Sequence, residues 1–196
     1  GARTASQGDS ARFTAIAQTL RDKHQAVIDE LLADPQERQA LSDMIGGLVD
    51  QFSAFCSGMH VLREASDKAM AAVSGLGERM CAPLLAALLR QEGLSSQPLD
   101  ASALLVTDDD YLNAGVLQAE SEARVRRGVL PLLERGIVPV LTGFIGATRE
   151  GVLTTLGRSG SDYSAALFGA FLQSDEVWIW TDVDGVMTAD PRLVPD

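Results

Sequence analysis

Between residues 120 and 180 the sequence alternates between two periods, and that alternation constrains the fold more than any other feature. Glu120–Arg135 carries apolar residues at helical spacing and is closed by Gly136. Ile137-Val138-Pro139-Val140-Leu141 follows as an apolar run of strand length. Ser161–Leu172 reads as an alanine-rich helix, and Glu176–Trp180 as a second buried strand. Strands alternating with helices predict an α/β domain with a mainly parallel sheet.

The first ninety residues read differently, as a helical region over 9–92. Asp9 or Ser10 can cap a helix in which Phe13, Ile16, Leu20, Val27, Ile28, Leu31 and Leu32 recur at helical spacing. Asp34-Pro35 starts a second, since proline suits a first helical turn. It carries Leu41, Ile45, Leu48, Val49, Phe52 and Phe55 on one face and ends between Gly58 and Arg63. A short helix runs on through Val73, Ser74–Glu78 breaks the pattern, and Arg79–Gln91 forms a helix stopped by Gly93. Ser96–Asp100 and Ala103–Thr107 are expected strands.

Composition narrows the partners. A net charge of −11 argues against nucleic acid, because phosphate binding needs clustered Lys and Arg. No apolar run in the sequence approaches the roughly 20 residues of a membrane helix, so no membrane is expected. Cys56 and Cys81 have no CxxC partner and no histidine at ligand spacing. Both are expected to be buried apolar groups in a reducing cytoplasm. The start at Gly1 and the stop at Asp196, just after a proline, read as cuts in a longer chain.

Three stretches carry chemistry. Thr142-Gly143-Phe144-Ile145-Gly146 leaves the C-terminal end of an apolar strand, where open α/β sheets place ligands. Thr154 to Tyr163 supplies a glycine-bearing loop that enters a helix, whose free N–H groups favour an anion. Ser161 or Asp162 is the expected cap, and Arg158 offers a fork for a carboxylate. An ordinary capped loop with a surface arginine would read the same way.

Trp178–Val186 is an apolar strand ending in Asp182, Asp184 and Gly185. It could be a plain turn. It also resembles the nucleophile segment of haloacid-dehalogenase-type phosphatases, in which Asp182 would attack phosphorus and Asp184 would act as acid and base. Only eleven residues follow Gly185, too few for the later segments such enzymes need. The third stretch, Ser74-Gly75-Leu76-Gly77-Glu78, places a carboxylate in the first turn of a helix. That position favours the helix dipole whatever its function, and it could also receive a substrate ammonium.

Taken together, the chain resembles the aspartate kinases of the amino-acid-kinase superfamily. Gly143-Phe144-Ile145-Gly146, Leu156-Gly157-Arg158-Ser159-Gly160-Ser161-Asp162-Tyr163, Thr181-Asp182-Val183-Asp184-Gly185 and Asp190-Pro191-Arg192 carry the resemblance. Gly77-Glu78 and Thr107-Asp108-Asp109 fit upstream. The resemblance implies a three-layer αβα sandwich and phosphoryl transfer from Mg2+–ATP to the side-chain carboxylate of L-aspartate. That reaction opens the route to lysine, threonine and methionine, and the parent is expected to be a homo-oligomer. By position in these segments, Glu78, Arg158, Ser159, Gly160 and Ser161 belong to the aspartate site. Asp162 lies at the junction with phosphate, where it organises cationic groups. Thr181, Asp182, Met187 and Arg192 belong to the nucleotide site. Met187 stands where many relatives carry Tyr, and Ser159 where many carry Gly.

The family's opening Lys-Phe-Gly-Gly-Thr-Ser strand, its Ser-x-Met-Ser-Gly segment, a later lysine-bearing nucleotide segment and the regulatory ACT domains have no counterpart in these 196 residues. Lys23 and Lys68 both sit in expected helices and cannot replace a phosphate-facing lysine, so this chain alone is expected to be inactive. A kinase for another small acid such as N-acetylglutamate or glutamate, the phosphatase, and a non-catalytic assembly piece are the competing readings.

Overall fold

The computed structural model describes residues 1–180. The helical region comprises α1 (Ala2–Ser6), α2 (Ser10–Leu31), α3 (Pro35–Leu62), α4 (Asp67–Ser74) and α5 (Leu76–Gln91). The α/β region follows with β1 (Ser96–Leu99), α6 (Gln118–Glu134), β2 (Val138–Leu141), β3 (Ile145–Ala147), β4 (Leu153–Thr155) and α7 (Gly160–Leu172).

The helix ends have local causes. The Asp9 side chain accepts from the Arg12 N–H, and that of Asp34 accepts from Gln36 N–H with Pro35 opening α3. Gly93 at φ +84° and Gly136 at φ +71° adopt the left-handed conformation just beyond α5 and α6. The long helices bury a shared core of Phe13, Ile28, Leu41, Ile45, Val49 and Phe52, with Leu76 and Met80 of α5 completing it. Each such side chain contributes about 1.5–3 kcal/mol on burial. Phe55 departs from the expected face of α3 and is 39% exposed, whereas Cys56 is fully buried there.

β1 and β2 pair in parallel, with Ser96 opposite Val138 and Leu99 opposite Leu141. The ladder runs from Val138 N–H to Ser95 O (2.8 Å) and from Thr142 N–H to Leu99 O (3.0 Å). This phase turns the alternate residues, Pro98 and Pro139, to the outer edges of the pair, where a missing N–H breaks no bond between the two strands. Both α5 and α6 pack on this pair; α3 lies behind α5, and α7 beside α6. A second core of Leu105, Val125, Val129, Ile145, Leu167 and Phe168 fills the α6–α7 side.

Five expectations need correction. Ser74–Glu78 does not break the helical path: Gly75 is right-handed and α5 starts at Leu76. Gly75 is required by proximity, since a Cβ there would meet Leu153 Cδ2 at 2.6 Å and Ile145 Cγ2 at 3.1 Å. The resulting stretch Asp67–Gln91, of 25 residues, contains an 18-residue window of mean hydropathy 1.3 and is long and apolar enough to cross a bilayer by length and composition. Its apolarity is used in packing, because Leu76, Met80, Ala86 and Ala87 are buried inside the molecule.

Ala103–Thr107 forms single bridges, Val106 with Ala147 and Thr107 with Val116, preceded by a 3-10 turn at Ala101–Ala103. The Asp100 side chain accepts from Ser102 N–H and so favours that turn over extension. Val138–Leu141 is only half-buried, with Val138 40% exposed. Glu176–Trp180 pairs with no strand among the described residues, and Trp178 and Trp180 are 71% and 87% exposed. Apolar composition favours extension there, but a strand also needs a neighbour to take its N–H and C=O groups. Cys81 is exposed on α5 rather than buried, because its helix face looks away from the core.

The antiparallel β3–β4 hairpin, with Gly146 opposite Thr154 and a turn at Gly151 (φ +80°), is an additional element not among those expected.

Candidate functional site

The chain leaves β2 through Thr142, whose hydroxyl is buried and accepts from the Ala101 N–H at 2.8 Å. Gly143 comes next and lies between two of the expected site segments. On one side is Glu78, half-buried in the first turn of α5. Burial pushes its carboxyl above the ordinary value of 4.5, and the Gly143 N–H offsets part of that rise. On the other side is α7, where a Cβ on Gly143 would meet Ser161 Cβ, Ser161 Oγ and Ser164 Oγ, each at 3.3 Å.

Phe144 then takes φ +65°, and the Ile145 N–H reaches back to Gly143 O at 2.7 Å. This is a γ-turn of the strained, positive-φ kind. Phe144 O accepts from Leu156 N–H at 2.8 Å, which ties the turn to the end of the hairpin. A Cβ on Gly160 would come within 2.8 Å of Phe144 Cδ2, so the start of α7 can sit against this ring only as glycine.

The loop into α7 is shaped by Gly157 at φ +75°, where a Cβ would meet Asn113 Oδ1 at 2.2 Å. Arg158 and Ser159 follow and are exposed. The N-cap of α7 is Ser159, at φ 58° and without a side-chain cap bond. Ser161 and Asp162, expected as caps, lie inside the helix instead. The left-handed Ser159 starts the helix two residues earlier than a Ser161 cap would. Gly160 is buried, while Ser161 and Asp162 are exposed on the first turn.

The structure therefore brings Glu78 and Ser161 together through Gly143, and sets Arg158, Ser159, Gly160 and Asp162 on the same loop and helix start. Thr181, Asp182, Asp184, Met187 and Arg192 lie outside the described residues. Gly143, Phe144 and Ser164 were not expected as site residues; Gly143 and Phe144 stood only in the strand exit and in a segment carrying the family resemblance. Lys23 and Lys68 are exposed on α2 and α4, as expected. Among the described residues no group of three or more His, Cys, Asp or Glu could hold a metal ion.

A strand exit here meets a glycine-shaped helix start, the arrangement at which open α/β sheets place small-molecule ligands. The chain belongs to the amino acid kinase family, which it matches over residues 11–196. It is 34% identical over 192 residues to an aspartokinase of Chlamydia muridarum, covering 96% of this chain and 39% of that protein. It is 33% identical over 191 residues to a chloroplastic bifunctional aspartokinase/homoserine dehydrogenase 1 of Arabidopsis thaliana, covering 96% of this chain and 20% of that protein. Its fold superimposes on E. coli aspartokinase III in complex with aspartate and ADP with a TM-score of 0.82 and 29% identity, over 90% of this chain and 38% of that one. The α/β amino-acid-kinase fold expected from the sequence is thus the fold of this chain, which spans about two fifths or less of these relatives' lengths.

Proposed function

We propose that the protein containing this chain phosphorylates the side-chain carboxylate of L-aspartate with ATP, giving 4-phospho-L-aspartate. The observation that carries the reading is the close packing of Gly143, at the strand exit, against Ser161 on the first turn of α7, with the half-buried Glu78 carboxylate influenced by the Gly143 N–H. It joins an anionic group to an anion-accepting helix start across one residue. The similarity to aspartokinases, one of them solved with aspartate and ADP, supports it.

In this reading the Glu78 carboxylate receives the α-ammonium of aspartate. Burial disfavours its charge, and an arriving cation favours the ionised form. Arg158, exposed at the loop, closes as a fork on a substrate carboxylate, and Ser159, Gly160 and Ser161 supply the first-turn N–H groups. Asp162 steadies the cations that surround the transferring phosphoryl group. It removes no proton, because a carboxylate nucleophile has none to lose. Thr181, Asp182, Met187 and Arg192 hold the nucleotide.

Magnesium supplies charge neutralisation on the phosphates when bound. Such an ion keeps several waters and needs only one or two carboxylates. Asp162, exposed on the first turn of α7, is the described carboxylate of this segment that such an ion could use. With its two lysines, Lys23 and Lys68, exposed on α2 and α4 and in no glycine-rich segment, the chain alone lacks a phosphate-facing lysine and is expected not to turn over.

The test is ADP release by the complete protein with aspartate, glutamate and N-acetylglutamate as alternative acceptors, alongside the 196-residue chain. Aspartate-dependent release by the complete protein alone supports the reading. Preference for another acid overturns the substrate, and turnover by the short chain within tenfold of the complete protein overturns the need for further cationic segments.

A further inference from the structure

Ser164 lies in the second turn of α7 and is 1% exposed. Its hydroxyl makes two bonds within this small space. It accepts from the Phe144 N–H at 3.2 Å and donates to Ser161 O at 2.8 Å. One side therefore holds the centre of the strained γ-turn, and the other the residue that packs against Gly143. Sequence reading gave Ser164 no role, and helix propensity gives no reason for it: a serine inside a helix is unfavourable relative to alanine.

The geometry points to Ser164 as a positioning residue that sets the spacing between Glu78 and the α7 start, and through it the affinity for the amino-acid substrate. Phe144 at φ +65° carries backbone strain, which persists only where the surroundings fix it. Its carbonyl is fixed by Leu156 N–H, and its ring is confined by Gly160. Its N–H has Ser164 Oγ as its hydrogen-bond partner. Without the hydroxyl that N–H loses its partner, and the turn can relax toward negative φ. Relaxation would swing the Gly143 peptide, whose N–H lowers the Glu78 pKa and whose α-carbon could carry a Cβ only 3.3 Å from Ser161. Both halves of the proposed amino-acid site would then shift.

The inference rests on the aspartate-kinase reading for its kinetic consequence and on geometry alone for its structural one, so the test has two arms. In the complete protein, Ser164→Ala should raise KM for aspartate about tenfold, which corresponds to about 1.4 kcal/mol. KM for ATP should stay within twofold. Ser164→Thr, which keeps the hydroxyl, should recover most of the loss. In the second arm, amide hydrogen exchange should show loss of protection at Phe144 in Ser164→Ala, with the remainder of α7 still protected. Unchanged exchange at Phe144 overturns the positioning role whatever the enzyme does. Altered exchange with equal rises in both KM values overturns its specificity for the amino-acid half. If wild type turns over no aspartate, the substrate reading fails, and the exchange result still decides the structural one.

Discussion

Gly143 is packed against Ser161 so closely that one added methyl group would meet both the Cβ and the Oγ of Ser161 at 3.3 Å. These two residues lie on different elements, the exit of β2 and the first turn of α7, and their contact fixes the width of the proposed site. Gly143→Ala would force them apart by a few tenths of an ångström. The expected stability loss is about 1 kcal/mol, as for mild overpacking. The expected functional effect is larger for aspartate than for ATP, read as separate KM changes in the complete protein.

Gly157→Ala combines two penalties. Its φ of +75° suits glycine, and the new Cβ would lie 2.2 Å from Asn113 Oδ1. Loss of the left-handed fit alone costs about 1 kcal/mol, and displacing Asn113 adds to it. Denaturant unfolding of the complete protein should show a loss of at least that size. An unchanged midpoint would mean that the loop before Arg158 is shaped by something else.

Glu78 links pH to stability with a definite sign. Burial raises its carboxyl above 4.5 in the folded state, so the folded protein holds that proton more tightly than the unfolded chain does. The favourable contribution exists below the unfolded value and is lost as pH rises through the folded value. Glu78→Gln removes that loss and should raise Tm near neutral pH relative to wild type, while weakening aspartate binding. Thermal melts at pH 4 and pH 7 check the sign: the gain should appear at pH 7 and shrink at pH 4.

Arg158 is exposed and forms no ion pair with a carboxylate among the described residues. A guanidinium in that state is available to a ligand. Arg158→Ala should weaken aspartate use at least tenfold, about 1.4 kcal/mol, and Arg158→Lys should recover little because a point charge does not reproduce the fork. The exposure argues for this figure rather than the larger loss seen when a buried ion pair is broken. Normal saturation by aspartate in either variant would remove Arg158 from the site.

The legible parts of the fold were those governed by local chemistry. Asp9, Asp34-Pro35, Gly93 and Gly136 announce helix ends through caps and left-handed turns, and the structure places them there. Features set by tertiary approach were misread. Gly75 looked like a breaker but is a contact point for Leu153 and Ile145. Ser161 looked like a cap, yet Ser159 takes that position through an unusual φ that no propensity foretells. Glu176–Trp180 has the composition of a strand, and only the pairing partner decides whether it becomes one. The site segments were visible as glycine-bearing runs, whereas Ser164 was hidden because a buried serine in an alanine-rich helix has no sequence signature of its own.

The most direct measurement is hydroxylamine trapping with the complete protein, ATP and magnesium. An acyl phosphate on aspartate reacts to give aspartyl hydroxamate, so the account predicts that product only when ATP and L-aspartate are both present. Beryllofluoride with an aryl phosphate probes the competing chemistry, in which Asp182 is itself the nucleophile. Hydroxamate with no adduct on Asp182 is the predicted result. Ester hydrolysis with a beryllofluoride-modified Asp182 and no hydroxamate would contradict the account.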